Sequence, residues 1–214
     1  MSQVDLPQKP RIATLASILA ALVLAGCAAS PSVPSAAVEK PATEADALSQ
    51  QDRLAFFIND VRRGECDKIE PALKSGLPIN GFDNLDQTPL IAAVSQNQVA
   101  CVKQLIARGA DVNLADHAGW SPLIHAAYFG SGEELLSLLV DHGANVNAQN
   151  NRGLTALYLA SAAGHEPQVQ LLLAHGANPA IASASGYTPV RVAQLRGLSK
   201  IVELLEAKPA TATP

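Results

Sequence analysis

The chain has 214 residues and a formal net charge of −4. No stretch clusters Lys and Arg, which excludes a nucleic-acid surface built on counterion displacement. Apolar residues make up 48% and aromatics only 4%, so any core must be built from Ala, Leu, Val and Ile, and three cysteines are too few for a disulfide scaffold.

At the N-terminus, Lys9 and Arg11 precede residues 12–24, all apolar or small. Such a run is too short for a bilayer, which needs about 20 residues. A basic flank, a short apolar core and small residues at the end describe a secretory leader. The run closes in Leu24-Ala25-Gly26-Cys27, which resembles the lipobox of bacterial lipoproteins. The resemblance implies that residues 1–26 are removed and that Cys27 carries acyl chains. Ala28 rather than Asp after the cysteine implies sorting to the outer membrane, with the body facing the periplasm. Several acyl chains anchor stably where one holds only marginally.

Residues 27–49 are rich in Ala, Ser and Pro and lack apolar periodicity, so a disordered tether is expected there. Such a segment spans about 25–30 Å if fully flexible, and more with proline stiffening.

Beyond it the chain repeats itself. DQTPLIAAV begins at Asp86, GWSPLIHAA at Gly119, GLTALYLAS at Gly153 and GYTPVRVAQ at Gly186. Thr88, Ser121, Thr155 and Thr188 are spaced 33, 34 and 33 residues apart. A second signature follows in register, as KQLIARGADVN, SLLVDHGANVN and QLLLAHGANPA, with Gly76, Gly109, Gly143 and Gly176 at the same spacing. Thr or Ser before Pro suits a helix start, because the hydroxyl accepts from an orphan N–H and proline fits the first turn. Gly-Ala after a Leu-rich run suits a helix end, where glycine takes the left-handed position. Each unit therefore reads as a helix pair that buries its apolar face only by stacking on its neighbours.

Both signatures resemble the ankyrin repeat. The resemblance covers residues 50–208 in about five units and implies an all-α solenoid of helix-turn-helix units with projecting hairpin loops. Residues 209–214 read as a disordered tail. The family's Thr-Pro-Leu-His is incomplete in every copy: Ile91, Ile124, Tyr158 and Arg191 stand at the histidine. Since that histidine helps tie helix to loop, looser hairpins are expected. Asp86 replaces a hairpin glycine and Ala156 a proline. The first unit reads as an N-terminal cap and the last, with Arg191, Arg196, Lys200, Glu203 and Glu206, as a polar C-terminal cap.

No catalytic motif, cofactor site or metal constellation is legible, so a non-enzyme is expected. His142 and His175 occupy equivalent places about 10 Å apart, too far to share one zinc, and read as C-capping side chains. A solenoid binds through its inner surface. By resemblance the hairpin tips (Asp116, His117, Gln149, Asn150, Asn151, Arg152, Ser183 and Ser185) and the first helices face a protein partner. The partner-binding candidates are Trp120, Tyr128, Phe129, Arg152, Asn151, His117 and Tyr187, since interface hot spots are rich in Trp, Tyr and Arg. Tyr128 and Phe129 equally suit space-filling between helices. Cys66 and Cys101 fall near the start of successive second helices and suit either a disulfide or two small buried thiols. The resulting reading is a lipid-anchored periplasmic interaction module with a protein partner, no cofactor and no small-molecule substrate. An immunity or inhibitor protein is its narrow form. An envelope stress or scaffold factor is the alternative, ahead of a host-directed effector or an enzyme.

Overall fold

The computed structural model describes residues 49–207. Cys27, the leader, the tail and all of the tether except Ser49 lie outside the described residues. Ten α-helices and one short 3-10 turn make up the described residues, with no strand among them. They pair as α1 (Gln50–Arg62) with the turn Cys66–Lys68 and α2 (Ile69–Lys74), then α3 (Pro89–Ser95) with α4 (Val99–Ala107) and α5 (Pro122–Phe129) with α6 (Glu133–Asp141). The last two pairs are α7 (Ala156–Ala163) with α8 (Glu166–Ala174) and α9 (Pro189–Leu195) with α10 (Ser199–Glu206). First helices contact first helices in the order α1, α3, α5, α7, α9, and second helices line up likewise from α2 to α10. The result is a two-layered stack of five units.

The helix starts follow the sequence signature. The N–H groups of Ile91, Ile124, Tyr158 and Arg191 donate to the hydroxyls of Thr88, Ser121, Thr155 and Thr188 at 3.1, 3.4, 3.1 and 3.3 Å. Ala156 opens α7 without proline because Thr155 still caps it. At the other end, the ring Nδ1 of His142 lies 2.8 Å from the Leu138 carbonyl and that of His175 2.9 Å from that of Leu171. Both histidines cap helix ends, as their position before the glycine suggests.

From α2 to α10 the helices have only six to nine residues. Isolated helices shorter than about 12–15 residues are marginal in water, so stacking must supply the stability. Fully buried alanines in the first helices, such as Ala92, Ala126 and Ala160, leave no side chain to hold neighbouring backbones apart. In the second layer Leu135, Leu136 and Leu139 are completely buried, each stabilising by about 1.5–3 kcal/mol relative to exposure. Where the histidine of the family signature is missing, Ile91 and Ile124 fill the core. Tyr158 is half-buried and Arg191 exposed, so the position turns polar toward the end of the stack.

The terminal units are thinner. Helix α2 buries only Ile69, against Cys101, Val102 and Leu105 in α4. A disulfide between Cys66 and Cys101, with Cα atoms 4.9 Å apart, staples this first unit to the second. At the far end Lys200 reaches Glu166 at 2.6 Å, yet Leu195 stands 60% exposed, so the last unit is not a wholly polar cap.

Candidate functional site

The hairpins between units are built by one side chain each. Asp83, Asp116, Asn150 and Ser183 open successive hairpins, and three of them fall among the residues expected at the tips. They turn inward instead. Asp83 Oδ1 accepts from the N–H groups of Leu85 and Gln87, both at 2.9 Å. Asp116 Oδ1 accepts from Trp120 N–H at 2.8 Å, and Asn150 Oδ1 from Arg152 and Leu154 at 2.9 and 3.0 Å. Ser183 Oγ accepts from Tyr187 N–H at 3.3 Å. These short acceptors mimic a backbone turn, the usual property of Asp, Asn and Ser there. Their side chains are engaged in the turn, and those of Asp83, Asn150 and Ser183 are buried.

Hairpins are also stitched to each other. Asn151 N–H donates to the Ala118 carbonyl at 3.1 Å, and Ala184 N–H to the Arg152 carbonyl at 2.9 Å. The approach is so close that a Cβ on Gly153 would sit 2.7 Å from the Ala184 nitrogen, and Gly153 has φ +72° besides. Glycine meets both demands. In the first gap Asp86 stands at the glycine position with φ +61°. Here the backbone bond is replaced: His117 N–H donates to Asp86 Oδ2 at 2.5 Å, and the His117 ring pairs with Oδ1 of the same carboxylate. A further ladder runs beneath, where Asn113 Oδ1 accepts from Asn145 N–H at 2.8 Å and Asn147 Oδ1 from Asn178 N–H at 2.7 Å. The loosening expected from the missing histidines is therefore offset by bonds the signature does not show.

Above this frame the aromatic residues gather. Trp120 and Tyr128 meet edge to face with centroids 5.2 Å apart, and Tyr128 and Phe129 do so at 5.1 Å. His125 lies beside both ends, 5.4 Å from Trp120 and with its ring nearly parallel to that of Phe129 at 6.1 Å. Its Nε2 is 3.2 Å from Asp116 Oδ2. Burial pushes the His125 pKa below its ordinary 6.5, opposed by the hydrogen bond and charge of Asp116. A neutral ring donating through Nε2 leaves Nδ1 as a bare acceptor, consistent with its buried, unpartnered state. The carboxylate of Asp116 thus positions the Trp120 backbone and the ring beneath the cluster together.

Of the seven partner-binding candidates, Trp120, Tyr128 and Phe129 come together. Tyr128 and Phe129 are 55% and 53% exposed, so they project from α5 rather than fill space between helices. Trp120 is half-buried, packed against the core at the foot of the cluster. Tyr187 stands at the Trp120 position two units on, 44% exposed. Arg152 is exposed at its hairpin tip. His117 and Asn151 are both exposed at their tips and also bond across hairpins, His117 to Asp86 and Asn151 through its Nδ2, which donates to the His117 carbonyl at 2.9 Å. Sequence reasoning missed His125 and Leu195. Leu195 was legible from the register, since it follows Thr188 by the interval at which Tyr128 follows Ser121; His125 carried no repeating signal. Among the described residues no group of three His, Cys, Asp or Glu side chains converges as a metal site would require, and no helix is long and apolar enough to cross a membrane.

Comparison with known proteins agrees with this architecture. A family model described as ankyrin repeats in three copies matches residues 59–150 and 128–212. The chain is 39% identical over 111 residues to Ankyrin repeat and SOCS box protein 11 of Homo sapiens, a match covering 50% of this chain and 33% of that protein. It is 30% identical over 118 residues to the putative ankyrin repeat protein YahD of Escherichia coli, covering 55% of this chain and 58% of the relative. The B-cell lymphoma 3 protein homolog of Mus musculus is 41% identical over 95 residues, 44% of this chain and 20% of its own length. The chain thus spans only part of each relative, and the shared part is the repeat array. With capped helix pairs, stitched hairpins and a matching family model over most of its length, the chain belongs to the ankyrin-repeat family.

Proposed function

We propose that this protein is a membrane-tethered interaction module that holds a protein partner against its hairpins and first helices, in the periplasm of a bacterial envelope. Ankyrin repeats supply the coarse part of this reading, a protein-binding array. The observation that carries the finer part is the aromatic cluster in which Tyr128 and Phe129 stand exposed beside the half-buried Trp120, in a chain with so few aromatics. Large exposed apolar side chains grouped on one face mark an interaction site in soluble proteins. The envelope setting rests on Leu24-Ala25-Gly26-Cys27, with Cys27 as the acylated residue. A tether of some tens of ångströms confines the face to partners near the membrane. An inhibitor of a membrane-attacking enzyme is the narrow form of this reading.

Two measurements test it. Replacing Cys27 with Ser should move the protein from the membrane to the soluble fraction and abolish labelling by a palmitate analogue; unchanged partitioning refutes the anchor. A photo-crosslinking amino acid at Tyr128 should trap a partner that the same probe at Gln170, on the second-helix layer, does not. Equal yields from the two positions refute the face.

A further inference from the structure

The charges of the stack are segregated by layer. Helices α3, α5, α7 and α9 contain no Asp or Glu at all. The loop into α5 adds Asp111, exposed and accepting from Asn113 N–H, and Asp116, whose carboxylate is held by Trp120 N–H and His125, while the loops into α7 and α9 add none. The other carboxylates of the last three units lie on the second helices, at Glu133, Glu134, Asp141, Glu166, Glu203 and Glu206.

Cations follow the opposite pattern. Every described lysine is ion-paired, and so are Arg62, Arg63 and Arg108. Among the described residues the arginines without an ion pair are Arg53 in α1 and then Arg152, Arg191 and Arg196. Arg152 lies at a hairpin tip and Arg196 just after α9, both exposed, whereas Arg191 stands at the register of the buried Ile91 and Ile124 and is exposed because no further described unit covers it. Arg196 follows Thr188 by the interval at which Phe129 follows Ser121, so it shares a row with Phe129 across the stack. Leu195 shares the row of Tyr128. Between them α7 presents only Ala162 and Ala163.

We propose that this face binds an acidic, apolar protein segment, with its large side chains set between the α5 aromatics and Leu195 and its carboxylates on Arg152 and Arg196. The inference rests on the interaction-module reading above and adds the partner's chemistry. Guanidinium groups without an ion pair, one and two units along from exposed rings in a chain of net negative charge, make the face complementary to carboxylates, while the acidic second layer repels the same partner from the back. Complementary charge of this kind governs orientation and encounter. Guanidinium suits the task, because its fixed fork meets a carboxylate through two parallel hydrogen bonds. With neighbouring helices 8–10 Å apart, the rows from α5 to α9 span roughly 20 Å, which about 13 residues of helix would cover. Two arginines against an acidic chain fall short of the basic surface that nucleic acid needs.

Trp120 is the chain's one tryptophan, so its fluorescence reports occupancy of this face. The probe is a random library of 16-residue peptides displayed on phage, selected against the full chain. Enriched peptides should carry net negative charge with Leu, Phe or Trp, should shift Trp120 emission, and should weaken with added salt. Arg152→Ala with Arg196→Ala should lower their affinity about tenfold, the combined effect of two partly exposed pairs. Arg152→Glu with Arg196→Glu should enrich basic peptides instead, a reversal that a merely structural role would not produce. Enrichment of neutral or basic peptides by the unmodified chain, or of none, overturns the proposal; so does a Trp120 response to a 20-nucleotide single-stranded DNA, or one that appears on concentrating the chain as it self-associates. The failures are separable. Neutral peptides that Tyr128→Ala with Phe129→Ala abolishes leave the face intact and remove only its acid preference. Peptides indifferent to both double variants remove the face as well.

Discussion

Reducing the Cys66–Cys101 bridge should loosen one end of the array and leave the other untouched. The two cysteines are 35 residues apart in sequence. Closing a loop of that length removes unfolded-state entropy equivalent to about 4 kcal/mol at 25 °C. In a uniformly cooperative domain of this size that would lower Tm by some 8–16 °C. A solenoid divides its stability among nearest neighbours, so the loss should concentrate where the bridge acts. That place is the contact between α2, which buries one side chain, and α4, which buries three. Hydrogen exchange followed by mass spectrometry, with and without reductant, is the assay. The opening free energy of amides in α1 and α2 should fall by several kcal/mol, up to about 4. Protection in α7 to α10 should stay unchanged. Cys66→Ala should give the same pattern, which separates loss of the bond from any effect of the reductant. Intact masses that do not differ by two hydrogens would refute the bridge itself. A bridge whose reduction lowers protection evenly from α1 to α10 would refute the nearest-neighbour reasoning.

Gly153→Ala should destabilise by several kcal/mol, since its Cβ meets backbone at 2.7 Å and φ is +72°. Gly76→Ala, at φ +87° with nothing within 4 Å, should lose only the left-handed penalty of about 1–2 kcal/mol; equal losses in urea denaturation would deny the close hairpin contact. Asn147→Ala removes the acceptor for Asn178 N–H and the donor to the Gly176 carbonyl. The expected loss of about 1–3 kcal/mol is read by the same titration, and a neutral result would show the ladder contributes nothing. For His125, burial holds the folded pKa below the unfolded 6.5, so the unfolded state binds the proton first. Stability should be complete above pH 6.5 and decline as pH falls below it, until the folded ring also titrates. His125→Leu, the residue type that Leu159 supplies in the next unit, should flatten that decline between pH 7.5 and 5.5; an unaltered pH profile would refute the assignment.

Architecture was legible from sequence because each local signal names a backbone requirement. Thr88, Ser121, Thr155 and Thr188 cap helices by their own chemistry, and two signatures recurring in register every 33 or 34 residues identify the stack. The site was legible only in part. Trp120, Tyr128 and Phe129 drew notice as rare residues, but spacing alone does not say whether a ring at the end of α5 points outward or into a neighbour. His117 and Asn151 sit at tips by register and yet are committed to adjacent hairpins.

The sequence by itself determined the units, their number, their capped ends and the residues available to each layer, because these depend on interactions within a few positions along the chain. The tertiary structure decided what lies between units. It set Asp86 to replace a missing backbone bond, Asn147 to accept from Asn178 in the next unit, and Cys66 to meet Cys101. It left Arg152 and Arg196 without an ion pair, one and two units along from the aromatic cluster. Each of these turns on atoms about thirty residues apart or more in sequence that stacking brings into contact or holds apart, and no local signal encodes that distance.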